Sequence, residues 1–318
     1  MNQIIVPTQP DTAIAIVPSA RARRFILEAE APSTRRAYMT DINTFTTWCT
    51  ARGVSPMPAA PETVANFIAD SAEQGLRPST IGRRVAAIRY LHRLADEETP
   101  TRSELVSKTL KGIRREMGGA PDRKAAATAD IVERMIDTCD DSLKGLRDRA
   151  ILALGFAGAF RRSELVALRV EDLSRTDDGY RVLIRKSKTD QEGQGQTIAI
   201  PRGNRLRPGP AIEAWMAAAG IESGSLFRRV RRGGKVGAQP LRPAAVAEIV
   251  KERCLLINED PAQFSGHSLR SGFLTSAARA GATIFKMRDV SRHKSLETLN
   301  AYVRDADLFR NHAGSAFL

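Results

Sequence analysis

The chain has 318 residues, of which 42% are hydrophobic, enough to build two independent cores without disulfide support. Its 49 Lys and Arg against 36 Asp and Glu leave a formal charge of +13, a balance that points to a polyanionic partner rather than a neutral one. The three cysteines, Cys49, Cys139 and Cys254, lie far apart with no Cys-x-x-Cys or Cys/His spacing, which argues against a disulfide framework and a structural zinc.

Residues 1–18 carry apolar groups at Ile4, Ile5, Val6 and Ile14 but are interrupted by prolines and have no basic leader. They are expected to form a flexible arm, neither signal peptide nor membrane span. No later stretch has the roughly 20 apolar residues a bilayer needs, so a soluble cytoplasmic protein is expected, with no membrane partner.

Residues 19–117 read as a four-helix bundle. Tyr38, Ile42, Phe45 and Cys49 repeat at helical spacing after Ser33 and Thr34, which are good N-cap types. A second helix with Val64, Phe67 and Ile68 opens at Pro61-Glu62, and a third with Ile81, Val85, Ile88 and Leu91 opens at Pro78. A fourth carries Val106, Leu110 and Ile113. The polar faces are basic: Arg35 and Arg36, Arg83 and Arg84, then Lys108, Lys111, Arg114 and Arg115. Such residues meet phosphates readily beside free helix N-terminal amides, although each pair alone also fits a solvated face.

Gly118-Gly119-Ala120-Pro121-Asp122 breaks the pattern, and residues 118–125 are expected to link the bundle to a second domain at 126–318. There, helices are expected near residues 128–138, 142–157, 208–219, 243–256, 267–280 and 295–304. Tyr180, Val182 and Ile184 alternate as in a strand, and Thr197, Ile198 and Ile200 suggest its antiparallel return across a polar turn from Lys186 to Gln196. The expected fold is therefore mainly α, with a small antiparallel sheet in a mostly helical second domain. The run Arg228 to Lys235 fits either a loop against DNA or an exposed turn, and Arg242, further on, is a candidate DNA contact.

The residues that carry chemistry lie in this second domain. Attack on a phosphodiester builds negative charge on the non-bridging oxygens, which planar, permanently charged guanidinium groups are suited to hold. Arg161 and Arg270 are the candidates. Glu164 lies three residues after Arg161, on the same helix face, and His267 lies three before Arg270. Tyr302 is the candidate nucleophile, and its phenol, with an ordinary pKa of about 10, needs help from His267 and the arginines. Lys188, in the polar turn, is a candidate general acid for the leaving oxygen, with Lys186 as a rival, and His293 a candidate phosphate donor. Taken singly these residues also fit a surface Arg–Glu pair, a satisfied core histidine and a solvated lysine.

Together they resemble the tyrosine recombinases, or phage integrases. Arg161-Arg162-Ser163-Glu164-Leu165-Val166-Ala167-Leu168 is similar to the family's Arg-x-x-Glu-Leu-x-x-Leu helix, Ser187-Lys188-Thr189 to its hairpin lysine, and His267, Arg270, His293 and Tyr302 to its closing series. The interval of 23 residues from Arg270 to His293 and of nine from there to Tyr302 also match, and flanking runs such as Tyr302-Val303-Arg304 resemble the Cre branch. Two departures stand out: Arg292 where the family often has glycine before its second histidine, and Ala159-Phe160 where it commonly has Gly-Leu.

The resemblance implies a SAM-like core-binding bundle and a catalytic domain that clamp duplex DNA, cutting and rejoining strands at a recombination site. It implies 3′-phosphotyrosyl links and a four-way junction, with no metal, ATP or other cofactor. It further implies a tetramer on DNA, joined by a tail from Asp305 to Leu318 that docks on a neighbouring subunit. The competing expectation is a silent DNA-binding protein of the same fold. A metal-dependent transposase would need a cluster of carboxylates, which the sequence does not suggest.

Overall fold

The computed structural model describes Arg21, Phe25 and residues 31–118, 124–187, 190, 194–308 and 314. The expected arm at 1–18, Lys188, most of the expected linker and almost all of the tail beyond Leu308 lie outside the described residues. The chain divides into two compact units, Met1–Pro121 and Asp122–Leu318.

The first unit is a bundle of α1 (Pro32–Ala51), α2 (Pro61–Glu73), α3 (Pro78–Leu94) and α4 (Glu104–Glu116). Proline at the first position starts α1, α2 and α3, where its missing N–H and fixed φ cost nothing. Ser33 and Thr34 thus lie inside α1 rather than capping it, and Ala31 takes the cap position without a side-chain bond. Ser103 caps α4, its Oγ accepting from the Val106 amide at 3.3 Å. Phe45, Cys49, Val64, Phe67, Ile68, Ile81, Val85, Ile88, Val106 and Ile113 close the core from all four helices. His92, fully buried, bonds the Ile88 carbonyl oxygen through Nδ1 at 2.8 Å and accepts from the Ala59 amide through Nε2 at 3.0 Å. It is a satisfied core histidine.

The second unit opens with α5 (Ala129–Asp137), α6 (Leu143–Ala157) and the short α7 (Arg162–Ala167). Strands β1 (Leu173–Thr176), β2 (Gly179–Ile184) and β3 (Gln196–Pro201) form an antiparallel sheet in chain order. Val182 and Ile184 of β2 and Ile198 and Ile200 of β3 turn one face to the core, and Val182 pairs with Ile198. Next come α8 (Pro208–Ala219), the hairpin β4 (Arg228–Val230) and β5 (Val236–Pro240), and α9 (Pro243–Leu256). The chain continues through α10 (Ser268–Arg279), α11 (Ile284–Ser291) and α12 (Leu296–Ala306). Much of the basic run from Arg228 to Lys235 is therefore strand and hairpin turn rather than loop.

Fully buried Met135, Ile151, Leu152, Trp215 and Phe227 anchor the main core, while Leu274, Ala278, Met287 and Leu299 form a smaller one beneath α12. One glycine sets the seat of α10. A Cβ at Gly272 would lie 1.7 Å from the Ala127 carbonyl oxygen, so only hydrogen lets α10 pack against this backbone, where the Ala127 amide bonds the Ser268 carbonyl oxygen at 3.0 Å. Among the described residues no helix is long and apolar enough to cross a membrane.

Candidate active site

After α6 the chain turns at Ala159, whose φ of 44° is left-handed, and delivers Arg161 to the N-cap of α7. Glu164 closes that turn: its Oε2 accepts the Arg161 amide at 2.9 Å and its Oε1 the Arg161 Nη1 at 2.6 Å. The carboxylate is buried, with its side chain 1% exposed. Burial alone would raise its pKa, but the charge of Arg292 and the bonds and charge of Arg161 outweigh this and hold it below the usual carboxylate range.

Arg270, on the first turn of α10, is 1% exposed. Its Nη1 donates to the Ala159 carbonyl oxygen at 2.7 Å, and its Nη2 lies 3.2 Å from His293 Nδ1 and 3.4 Å from Nε2. The Ser291 hydroxyl is also 2.8 Å from His293 Nδ1. Residues 111 and 134 positions apart in the chain thus meet at one turn: Arg270 at the Ala159 carbonyl oxygen and Arg292 at that of Gly158, the latter at 3.0 Å.

The electrostatics fit an anion site. Burial first, then the charges of Arg161 and Arg292, push Arg270 below the ordinary arginine range, yet guanidinium stays protonated near neutrality. Burial, followed by Arg270 and Arg161, pushes His293 down to about 3, so its ring is neutral and keeps one N–H to donate. Crowding around the ring, then Arg270, Arg161 and Arg162, also lowers His267, although much of its surface is open. A negative group arriving here would oppose the arginine charges and favour the protonated forms.

His267 caps α10 and lines a cavity of about 500 Å³ with Ser271, Thr298 and Tyr302, the last half-buried on α12 against the small core. A charged Tyr302 phenolate would act on Arg270 in the opposite sense to the neighbouring arginines, raising its pKa. A second cavity of about 420 Å³ joins His293, Arg292 and Lys294 to Ser187 and Asp190, the residues flanking the segment that contains Lys188. Asp190 ties this hairpin by accepting the Gly195 amide at 2.8 Å.

The structure thus gathers Arg161, Glu164, Arg270 and His293 directly, and His267 and Tyr302 around one cavity. Lys188 itself lies outside the described residues. Sequence alone marks Arg292 as a departure from glycine before His293 and assigns it no part in the site, whereas the structure shows it bonding Glu164 Oε2 through Nη2 at 2.9 Å.

On the bundle, Arg36, Lys111, Arg114 and Arg115 are exposed and Arg35 is half-buried. Arg83 reaches the surface but gives Nε and Nη2 to the buried Asp41 at 2.7 and 3.1 Å. Arg84 is drawn into the bundle, donating to Ser71 Oγ at 2.8 Å above the Phe67 ring. In the second unit Arg242 is exposed at the N-cap of α9.

The sequence profile described as Phage integrase family matches residues 126–308, and that described as Phage integrase, N-terminal SAM-like domain, matches residues 23–99. The chain is 36% identical over 301 residues to the integrase/recombinase xerD homolog of Selenomonas ruminantium, spanning 93% of this chain and 88% of that protein. It is 28% identical over 279 residues to recombinase cre of Escherichia phage P1, covering 82% and 80% of the two. Its fold is similar to that of the XerH site-specific recombinase bound to a palindromic difH substrate in a post-cleavage complex, with a TM-score of 0.65, 14% identity and coverage of 91% and 82%. Extended over both units, this likeness shows that the chain belongs to the phage integrase family of tyrosine recombinases.

Proposed function

We propose that the protein is a site-specific DNA recombinase that cleaves and rejoins strands through Tyr302. Arg161 and Arg270 hold the two non-bridging oxygens of the scissile phosphate, and neutral His293 donates to the same group. The Tyr302 oxygen attacks phosphorus while His267 receives its proton. The bond to the 5′ oxygen breaks, and Lys188 protonates that oxygen as it leaves. A 3′-phosphotyrosyl ester and a free 5′-hydroxyl result. Attack by the 5′-hydroxyl of a second strand reverses the step and returns the phenol, conserving one phosphodiester throughout, so neither metal nor ATP is needed.

The observation that carries this reading is the convergence of Arg161, Arg270 and His293 around Ala159 and Glu164, with His267 and Tyr302 bordering one cavity. Residues 19–117 and 126–318 would both contact the duplex, joined through 118–125, with residues 1–18 as an arm. Exposed Arg36, Lys111, Arg114, Arg115 and Arg242 would contact the DNA, with Arg35 and the outer part of Arg83 at its margin, while Arg84 acts through the bundle. The tail after Asp305 would join protomers into a tetramer on paired sites of a mobile element in the bacterial nucleoid.

A nicked suicide duplex carrying the target site tests the reading. The parent should trap a covalent protein–DNA adduct in the presence of EDTA, and Tyr302→Phe should trap none. Binding without any adduct from the parent would favour a silent DNA-binding protein instead.

A further inference from the structure

Arg292 stands where a large side chain is costly. It closes α11 in the left-handed region, with φ 59° and ψ 39°, a conformation that costs a residue bearing Cβ about 1 kcal/mol or more and glycine almost nothing. Its guanidinium is also removed from water, the side chain being 2% exposed, which is unfavourable unless its donors are satisfied. Its two terminal nitrogens find partners, mostly around the turn before Arg161, while its buried Nε has none among the described residues. Nη2 donates to Glu164 Oε2 at 2.9 Å and to the Ala159 carbonyl oxygen at 3.2 Å. Nη1 donates to the Gly158 carbonyl oxygen at 3.0 Å and to that of Val290. The group lies over the Phe160 ring, 5.2 Å from its centroid.

Two of these contacts are shared with residues that bind the phosphate in the reading above. The Ala159 carbonyl oxygen also accepts from Arg270, Glu164 also holds Arg161, and His293 is the next residue in the chain. A strained, buried link between these parts has no packing role that an apolar side chain would not fill better. It also changes the charge. Arg161, Arg270 and Arg292 against Glu164 leave two net positive charges in the cluster, where an apolar residue at 292 would leave one. Phenolate attack on a phosphodiester monoanion gathers two negative charges on one five-coordinate phosphorus group.

We propose that Arg292 is a positioning residue for strand cleavage: its buried fork locks the Gly158–Ala159 turn, Glu164 and the turn before His293 into one unit, fixing the two phosphate-binding arginines and the histidine relative to one another. This rests on the recombinase reading and deepens it. Arg292 acts through its neighbours, so its loss should slow the chemical step more than it weakens DNA binding. A misplacement of about 1 Å in such a site is worth roughly 100-fold in rate.

The test is single-turnover adduct formation on the suicide duplex, with DNA affinity measured in parallel. Arg292→Met keeps volume and should slow cleavage about 100-fold, with affinity changed less than about threefold. Arg292→Lys, which keeps the charge but not the fork, should fall between. Because Arg292→Met leaves Glu164 short of a partner and can fail to fold, Glu164→Gln combined with Arg292→Gly is compared with Glu164→Gln alone. That pair removes both the unpaired charge and the left-handed strain. The double variant should cleave at least about tenfold more slowly than the single one. Equal rates, or a folded Arg292→Met cleaving like the parent, would overturn the proposal and show that Arg292 merely neutralises Glu164. A parent that forms no Tyr302 adduct would instead remove the recombinase reading, and this inference with it.

Discussion

Replacing Glu164 with glutamine removes the one carboxylate in a cluster that otherwise holds Arg161, Arg270 and Arg292. The carboxylate accepts three hydrogen bonds, from the Arg161 amide at 2.9 Å, Arg161 Nη1 at 2.6 Å and Arg292 Nη2 at 2.9 Å. Breaking a buried ion pair from one side costs about 3–5 kcal/mol, and because the amide retains one acceptor oxygen the lower end, about 3 kcal/mol, applies. At about 2–4 °C per kcal/mol for a unit of this size, the melting temperature should fall by about 6–12 °C. Scanning fluorimetry near neutral pH reads this directly. Added inorganic phosphate should recover more of the loss in the variant than it adds to the parent, because the unbalanced positive cluster gains most from an anion. A variant that melts within about 2 °C of the parent would refute the assignment of Glu164 as the cluster's counter-charge.

Acid should destabilise the second unit before carboxylates titrate. His293 is pushed down to about 3 and His267 is lowered, so both contribute stability that is fully present above their unfolded value of about 6.5 and is lost as pH falls toward the folded values. Urea titrations between these limits should show a slope of up to about 1.4 kcal/mol per pH unit for the His293 proton, with exposed His267 adding less, and a flat profile would contradict the geometry. Asp148, 0% exposed, bridges Arg147 at 2.6 Å and Arg253 at 2.9 Å, so Asp148→Asn should cost about 3–5 kcal/mol while leaving the adduct rate of folded protein unchanged. Thermal melts and single-turnover assays separate the two effects. Changing Lys111, Arg114 and Arg115 together to Gln should lower the salt dependence of DNA binding by roughly 2.7 in log–log slope, at about 0.9 per phosphate contact. An unchanged slope would mean that this face of α4 does not meet DNA.

The bundle was legible because apolar stripes follow Pro61 and Pro78 directly, so these helix starts and buried faces are written locally, while in sequence Ser33 and Thr34 mark the first helix although Pro32 starts it. The hairpin β4–β5 was not, since Arg228 to Val230 and Val236 to Pro240 are short and carry no apolar–polar alternation to read. Likewise α11 buries only Met287 and Ser291, too thin a stripe to signal a helix. The proposed reactive residues are picked out by spacing within each segment, as with Arg161 and Glu164. What spacing hides is pairing across the chain: Asp41 with Arg83, 42 residues apart, and Glu164 with Arg292, 128 apart. Such pairs decide whether a basic side chain is offered to DNA or committed to the protein, and they explain why Arg84 and Arg292 carry different weight in three dimensions than in sequence.

The most direct measurement is mass spectrometry of the protein digested after trapping on a nicked suicide duplex. The account predicts a nucleotide esterified through its 3′-phosphate to the Tyr302 phenol. A trapped strand joined to any other side chain, or joined through its 5′ end, would contradict it.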